Sequence, residues 1–542
     1  MRALTLSLCF STAVWAGTEK LSDELKPENA ARLANTVDVI VQYKTPPTEA
    51  NHQRMAARGA TLTHAYTAIW GSVYHTSRES LSAIANDPDV LYVTPNRSLH
   101  AADQITDGTV HSDWANNTKG LKGRGIGVAI IDSGIVDLPD FYLGTTNRIV
   151  YSQSFLGSGT TAVDQFGHGT HVAGILAGNG NGTVYVGTAP EVNIINLRVL
   201  DQNGIGTDAN VIAAIEEAIS LRNKYNIKVI NLSLGRPVYE SASLDPLDKA
   251  VEAAWNAGIV VVVAAGNEGR NNTANTNGYG TIASPGNDPL VITVGCVKSH
   301  GTTTMNDDWI ASYSSKGPTL YDHYVKPDVV VPGNLIVSTL PPGLTLSNAY
   351  PANRVTGNFF TLSGTSMATP VVSGAAAMAF LYDSKIAPDA VKAIIMQTAS
   401  KTNFPTSSVA IDPVTGISYT SYYDIFTVGA GELNIEAADS VTSIPTGSAA
   451  SPSVAYNPTT GAVTLQGIGG ANVIWGSNVI WGTNVIWGTS TVLANNVIWG
   501  TNAVWSSSSM AGFQVIWGTN VIWGTSSADA TESSPLSING EQ

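Results

Sequence analysis

Between about residue 120 and residue 300, short apolar runs alternate with amphipathic stretches. This is the pattern of a parallel sheet covered by helices on both faces. Ile126–Ile131 predicts one strand, Val192–Val199 a second, Val229–Gly235 a third and Ile259–Asn267 a fourth, and Leu290–Val297 is a further apolar strand. Ala209–Lys224 and Asp245–Ala257 read as helices between strands, and His168–Ala177 as another helix opening at a histidine. Farther on, Val371–Ala379 is so rich in Ala and other small residues that it predicts a buried, closely packed helix. The fold class is therefore α/β, a largely parallel sheet flanked by helices. In such sheets chemistry collects at the carboxyl ends of the strands, and Asp132, Ser233 and Asn267 stand at such ends.

The flanks follow other rhythms. Over residues 36–100, strand candidates at Val37–Tyr43, Ser72–Thr76 and Val90–Val93 alternate with helical stretches near Glu49–Arg58 and Ser80–Ala85. That order suggests a small ferredoxin-like α+β module. Residues 94–118 are polar and irregular and read as a linker. Beyond Ala437 the composition shifts to Ser, Thr, Ala, Pro and Gly, so residues 445–471 read as a second linker. Then Asn472-Val473-Ile474-Trp475-Gly476-Ser477 begins nine six-residue units that fill residues 472–525. Six is even, so an extended chain puts Val, Trp and Thr of every unit on one face. One strand of that length would run about 180 Å, so the chain must turn, and the Gly-Thr-Asn junctions are the places to do it. A β-rich tail is expected, as a three-sided solenoid or a meander of hairpins.

Composition narrows the classes. The 542 residues carry a net charge of −14 with no basic run, which argues against nucleic acid as a partner. Residues 1–16 hold one basic residue, an apolar run too short to span a bilayer, and Val14 and Ala16 at signal-peptidase spacing. A signal peptide and a secreted or cell-surface location are expected. Its removal would take Cys9 and leave Cys296, in an apolar strand, as a buried small hydrophobe.

Three short segments carry the chemistry. Gly364-Thr365-Ser366-Met367-Ala368-Thr369-Pro370 places Ser366 where a loop becomes a helix, among unpaired N–H groups that suit a developing oxyanion. Asp132-Ser133-Gly134 ends a strand, and His168-Gly169-Thr170-His171-Val172-Ala173-Gly174 opens a helix. Alone, each has a bland reading, as an N-cap serine, a strand-end aspartate or a helix-start histidine. Together they supply a nucleophile, a base and a carboxylate to orient it. The three segments resemble the signatures of the subtilisin-like serine proteases, and their order, Asp, His, Ser, matches.

The resemblance covers about residues 105–440 and implies a serine endopeptidase with Asp132, His168 and Ser366 as its triad. It makes His168 the base and His171 structural, Asn267 a side-chain oxyanion donor, and residues 36–100 an inhibitory propeptide removed by the enzyme itself. It implies that Ser233-Leu234-Gly235 and Ala264-Ala265-Gly266 grip an extended polypeptide substrate. Ala283 would floor a slot for medium to large apolar or aromatic side chains. Catalysis needs no cofactor on this reading. A structural calcium is expected at Asp140 and the loop containing Asn181. For the tail the expected partners are a cell surface, a glycan or another copy. Two rivals stand beside this reading: a proteolytically dead binding protein on the same scaffold, and a surface-binding tail that carries a protease as cargo.

Overall fold

The computed structural model describes residues 35–457, apart from 97, 102–108, 274–275, 402–403 and 413–414. It also describes 18–22, 25–26, 462–466, 498–499, 503–504 and Glu541. The expected signal peptide, 1–16, lies outside the described residues, as does nearly all of 472–525. Of that repeat region only Ile498–Trp499 and Ala503–Val504 are described, as an antiparallel pair. The chain divides into two compact units, Met1–Asn96 and Arg97–Gln542.

In the first unit the strands Thr36–Tyr43, Ala60–Ala65, Gly71–Ser77 and Val90–Pro95 form one antiparallel sheet, in which the first strand lies between the third and the fourth. Helices Glu49–Ala57 and Leu81–Ala85 follow the first and third strands, giving the β-α-β-β-α-β order of a ferredoxin-like module. Val39, Val41, Tyr43, Met55, Tyr74, Leu81 and Ile84 fill its core. The Ala60–Ala65 strand lacks a clear sequence signature because all of it beyond Ala60 is exposed.

The second unit is built on an eight-stranded sheet. From one edge it runs Trp309–Ile310, Ile292–Lys298, Val260–Ala264, Ile227–Leu232, Gly127–Asp132, Asn193–Arg198 and Ile149–Ser154, with Val329–Pro332 also paired to the 292–298 strand. Every pairing is parallel except that of the short 309–310 strand. Val128, Ile130, Ile131, Val229, Ile230 and Val260–Val263 are at most 1% exposed, as expected of strands covered on both faces. Helix Thr365–Tyr382 packs across the central strands, and nearly all of its first fourteen residues are buried.

Two stretches expected as linkers are structured. Ser98–Ala101 is a strand, paired antiparallel with Ile205–Thr207 on one side and Leu234–Gly235 on the other. Part of 445–471 is not a free linker: Ser453–Asn457 and Ala462–Gln466 form a hairpin, and the residues before it are docked. The Ala449 N–H donates to Asp389. The Ser451 hydroxyl donates to Asp328 (2.6 Å) and accepts from Lys392 (2.9 Å). Asp328 also pairs with Lys326 at 2.7 Å and Lys392 at 3.2 Å, all side chains fully buried. Composition pointed to a linker because Ser, Ala and Pro are common in linkers. Here those small residues are what fits against a buried charge cluster.

A chain truncated after Ser443 should therefore unfold at a lower temperature than one truncated after Gln466. Leaving one or two buried polar groups unsatisfied costs about 1–3 kcal/mol each, which for a domain of this size is a drop of roughly 2–4 °C per kcal/mol. Equal melting temperatures would show that 444–466 contributes nothing.

Candidate active site

Asp132 is the last residue of the strand Gly127–Asp132, and His168 the first of the helix His168–Ala177. Residue 169 has to be glycine for the two to meet. A Cβ there would lie 2.3 Å from the Gly134 carbonyl oxygen and 3.1 Å from the Asp132 side chain. With the helix seated this closely, His168 Nδ1 lies 2.8 and 3.0 Å from the two carboxylate oxygens of Asp132. Both side chains are essentially fully buried. The Asp132 carboxylate is steadied by the Ser133 N–H at 2.7 Å.

Behind this pair stands Asp164, which sequence reasoning missed. Its carboxylate accepts from the N–H groups of Phe166, Gly167 and Thr170 and from the hydroxyls of Ser133 and Thr170. The Ser133 hydroxyl accepts in turn from the Gly169 N–H. One buried carboxylate thus fixes the first turn of the histidine helix against the strand end carrying Asp132. Burial raises its carboxyl pKa, and the hydrogen bonds from Thr170, Gly167 and Ser133 offset part of that rise. An aspartate four residues before the helix start was the available sequence signal. His171, one turn in, is buried and hydrogen-bonded to the Phe360 carbonyl, and burial lowers it to about 3, so it is a neutral core histidine.

Ser366 is the second residue of its helix. Pro370 has no N–H for the Ser366 carbonyl, and the Ser233 hydroxyl supplies the bond instead at 2.8 Å. The Ser366 hydroxyl donates to the Ser233 carbonyl at 3.1 Å. Asn267 follows the strand Val260–Ala264, and its side-chain oxygen accepts from the Thr365 N–H and hydroxyl at 3.0 and 3.1 Å. The Thr365 hydroxyl also accepts from the Gly266 N–H. With its oxygen engaged by Thr365, the Asn267 amide NH2 is the group turned away from the helix. Thr365 is thus a positioning residue, hidden in sequence because any Thr before a Ser reads as a cap.

The gripping segments also come together. Leu234–Gly235 forms one edge beside the strand 98–101. Ala265 exchanges backbone bonds with Val294 and Ala283. A Cβ added to Gly235 or Gly266 would stand 3.0 or 3.2 Å from Ala283 Cβ. Ala283 therefore packs closely against two positions without side chains. Gly266 has φ +102°, a conformation few other residues adopt.

Asp140 and Asn181, the residues expected at a structural calcium, stand in different surroundings. Asp140 is buried, with one carboxylate oxygen bonded to the Thr339 hydroxyl and the other without a hydrogen bond, and burial raises its pKa. Asn181 is exposed. The carbonyls of Asp140, Ala177 and Val192 accept from the buried Arg148 guanidinium. The Gly178 and Gly180 carbonyls accept from Gly187 and Thr183. Several carbonyls around Asp140 are thus committed, three of them to Arg148, while one Asp140 carboxylate oxygen is left without a hydrogen bond.

A model of the subtilase family matches residues 123–412. The chain belongs to the subtilase family. It is 37% identical over 329 residues to serine protease AprX of Bacillus subtilis, covering 59% of this chain and 72% of that one. It is 36% identical over 310 residues to subtilisin E of the same species, covering 55% and 68%. Among solved structures, fervidolysin from Fervidobacterium pennivorans superposes with a TM-score of 0.56 at 22% identity, covering 76% of this chain and 62% of its own, a likeness of fold. This subtilase is accordingly a subtilisin-like serine endopeptidase, which removes the reading of a dead binding protein.

Replacing Asp164 by Asn puts an NH2 among five donors. The expected result is a loss of about 1–3 kcal/mol, read as a lower unfolding temperature, with a fall in kcat. An unchanged melting temperature and unchanged kcat would show that the carboxylate does not hold the helix start.

Proposed function

We propose that Asp132, His168 and Ser366 are the catalytic triad of this endopeptidase and that Asn267 is its side-chain oxyanion donor. The observation that carries this is the buried Asp132–His168 pair, at 2.8 and 3.0 Å, supported by a serine at a helix start and an asparagine oriented by the neighbouring threonine. A carboxylate on Nδ1 fixes the proton there and leaves Nε2 as the base. The Ser366 Oγ attacks the peptide carbonyl carbon as its proton passes to His168. The C–N bond then breaks, and the proton goes to the leaving amine. Water, deprotonated by His168, releases the acyl group and restores Ser366. Asp132 remains ionised and stabilises the imidazolium. The oxyanion of both tetrahedral intermediates takes hydrogen bonds from the Asn267 side chain and the Ser366 N–H.

The slot floored by Ala283 and bounded by Gly235 and Gly266 favours medium to large apolar or aromatic side chains before the scissile bond. Ser233-Leu234-Gly235 and Ala264-Ala265-Gly266 would hold the substrate main chain as an added strand. The strand Ser98–Ala101 supports that reading, since it is paired with Leu234–Gly235 as a substrate would be. Its numbering rises as its partner's falls toward Ser233, whose carbonyl meets the Ser366 hydroxyl. The first unit is then an inhibitory propeptide, and self-cleavage falls just past Ala101, within 99–103. We further infer a secreted enzyme with an N-terminal signal peptide, and a repeat region that attaches to a surface or glycan or self-associates. Among the described residues no helix is long and apolar enough to cross a membrane.

Ser366→Ala, expressed alone, should accumulate as a precursor that retains the first unit, visible by intact mass. Normal maturation of that variant would end the self-cleavage reading. Asn267→Leu, matured in trans by active enzyme, should lose about 10²–10³ in kcat, as expected for one missing oxyanion donor, with KM little changed. A raised KM at normal kcat would make Asn267 a binding residue instead.

A further inference from the structure

Glu541 is buried, more than seventy residues beyond the docked hairpin, with most of its polar atoms partnered by residues of the second unit. One carboxylate oxygen accepts from the Ser312 N–H (2.9 Å), from the Ser312 hydroxyl and from the Arg270 guanidinium (2.9 Å). The other lies 3.9 Å from the Lys298 ammonium. The Glu541 N–H donates to the Asn334 side-chain oxygen, and the Asn334 NH2 donates to the Glu541 carbonyl, both at 2.9 Å. Arg270 and Lys298 are each 9% exposed at the side chain, Ser312 2% and Asn334 8%.

The two halves of this contact select different things. Two buried cations, one hydroxyl and one N–H select a carboxylate, because a buried cation is costly without opposite charge nearby. The paired bonds to Asn334 select an amino-acid main chain, since they use both its N–H and its C=O. Arg270 is the organiser. It also pairs with Asp412 at 3.0 Å, bonds the Ser312 hydroxyl at 2.6 Å and lies over the Tyr419 ring at 4.5 Å.

The pocket adjoins the catalytic segments. Arg270 lies three residues after Asn267, and the Gly269 N–H between them donates to the Tyr313 carbonyl beside Ser312. Asn334 follows Gly333, whose carbonyl accepts from the Gly364 N–H two residues before Ser366. The Leu335 N–H donates to the Ser363 hydroxyl.

We propose that Arg270, Lys298, Ser312 and Asn334 form a receptor for an acidic residue of a polypeptide chain, filled in cis by Glu541. Glu541 is a clasp. It fastens the chain beyond the hairpin to the catalytic unit and steadies the loops that lead to Asn267 and Ser366. Neither the matched family region, 123–412, nor the triad assignment accounts for it.

The test is a double-variant cycle in the full-length chain carrying Ser366→Ala, so that self-cleavage cannot blur it. Glu541→Gln keeps the side-chain volume and removes the charge. Arg270→Met keeps most of the stem and removes the guanidinium. Each should lower the unfolding temperature by several degrees, about 3–8 °C, and the double variant should fall by clearly less than the sum. Hydrogen exchange supplies a local readout. Glu541→Gln should speed exchange in segments 268–271 and 333–335 and leave helix Asp208–Leu221 unchanged. Additive losses, an unchanged melting temperature for Glu541→Gln, or unchanged exchange at 268–271 would each overturn the clasp.

Discussion

The first turn of helix Thr365–Tyr382 is the constraint on which the site depends. Thr365 and Ser366 use their main-chain and side-chain groups to bind two other segments, at Ser233 and at Gly266-Asn267. A helix start buried in a protein must have its N–H groups satisfied from outside, and here the partners are the residues that the chemistry needs. The same geometry that satisfies the backbone sets the asparagine amide and the serine hydroxyl. Pro370 adds to this, because the carbonyl it leaves unpaired is claimed by Ser233.

The histidine half of the site obeys a different requirement. There, close approach matters, and Gly169 permits it, while Asp164 gathers the loose N–H groups of the turn into one carboxylate. Asp132 and His168 then sit at essentially zero exposure, where a charge-assisted hydrogen bond is stronger than in water. The parallel sheet supplies rigidity for both halves. Its central strands are apolar and buried on both faces, so their carboxyl ends are fixed points.

The catalytic unit is also larger than its family signature. Ala449 and Ser451 are docked through Asp389, Asp328 and Lys392, and Glu541 through Arg270 and Asn334. The contacts of Ser451 with Asp328 and Lys392 and of Glu541 with Arg270 satisfy buried charges, so these late residues bear on the stability of the unit.

The sequence by itself determined the class of fold and the family. Runs such as Val260–Ala264 can only be buried strands, and the Asp132, His168 and Ser366 segments keep their local patterns because strand end, close helix and helix start each demand particular small neighbours. It also determined the order of the first unit, though not its exposed second strand. Tertiary structure alone decided what the residues touch. Asp164, Thr365 and Arg148 look ordinary in sequence, since their roles arise from groups brought from distant segments. Arg148 is the sharpest case: its buried guanidinium gathers the carbonyls of Asp140, Ala177 and Val192, and nothing local to any of them announces it. Composition likewise assigned 445–471 to a linker, because composition reports how readily a segment stays solvated. Whether Ser451 meets water or a buried Asp328 depends on chain more than a hundred residues away, and only the folded molecule specifies that.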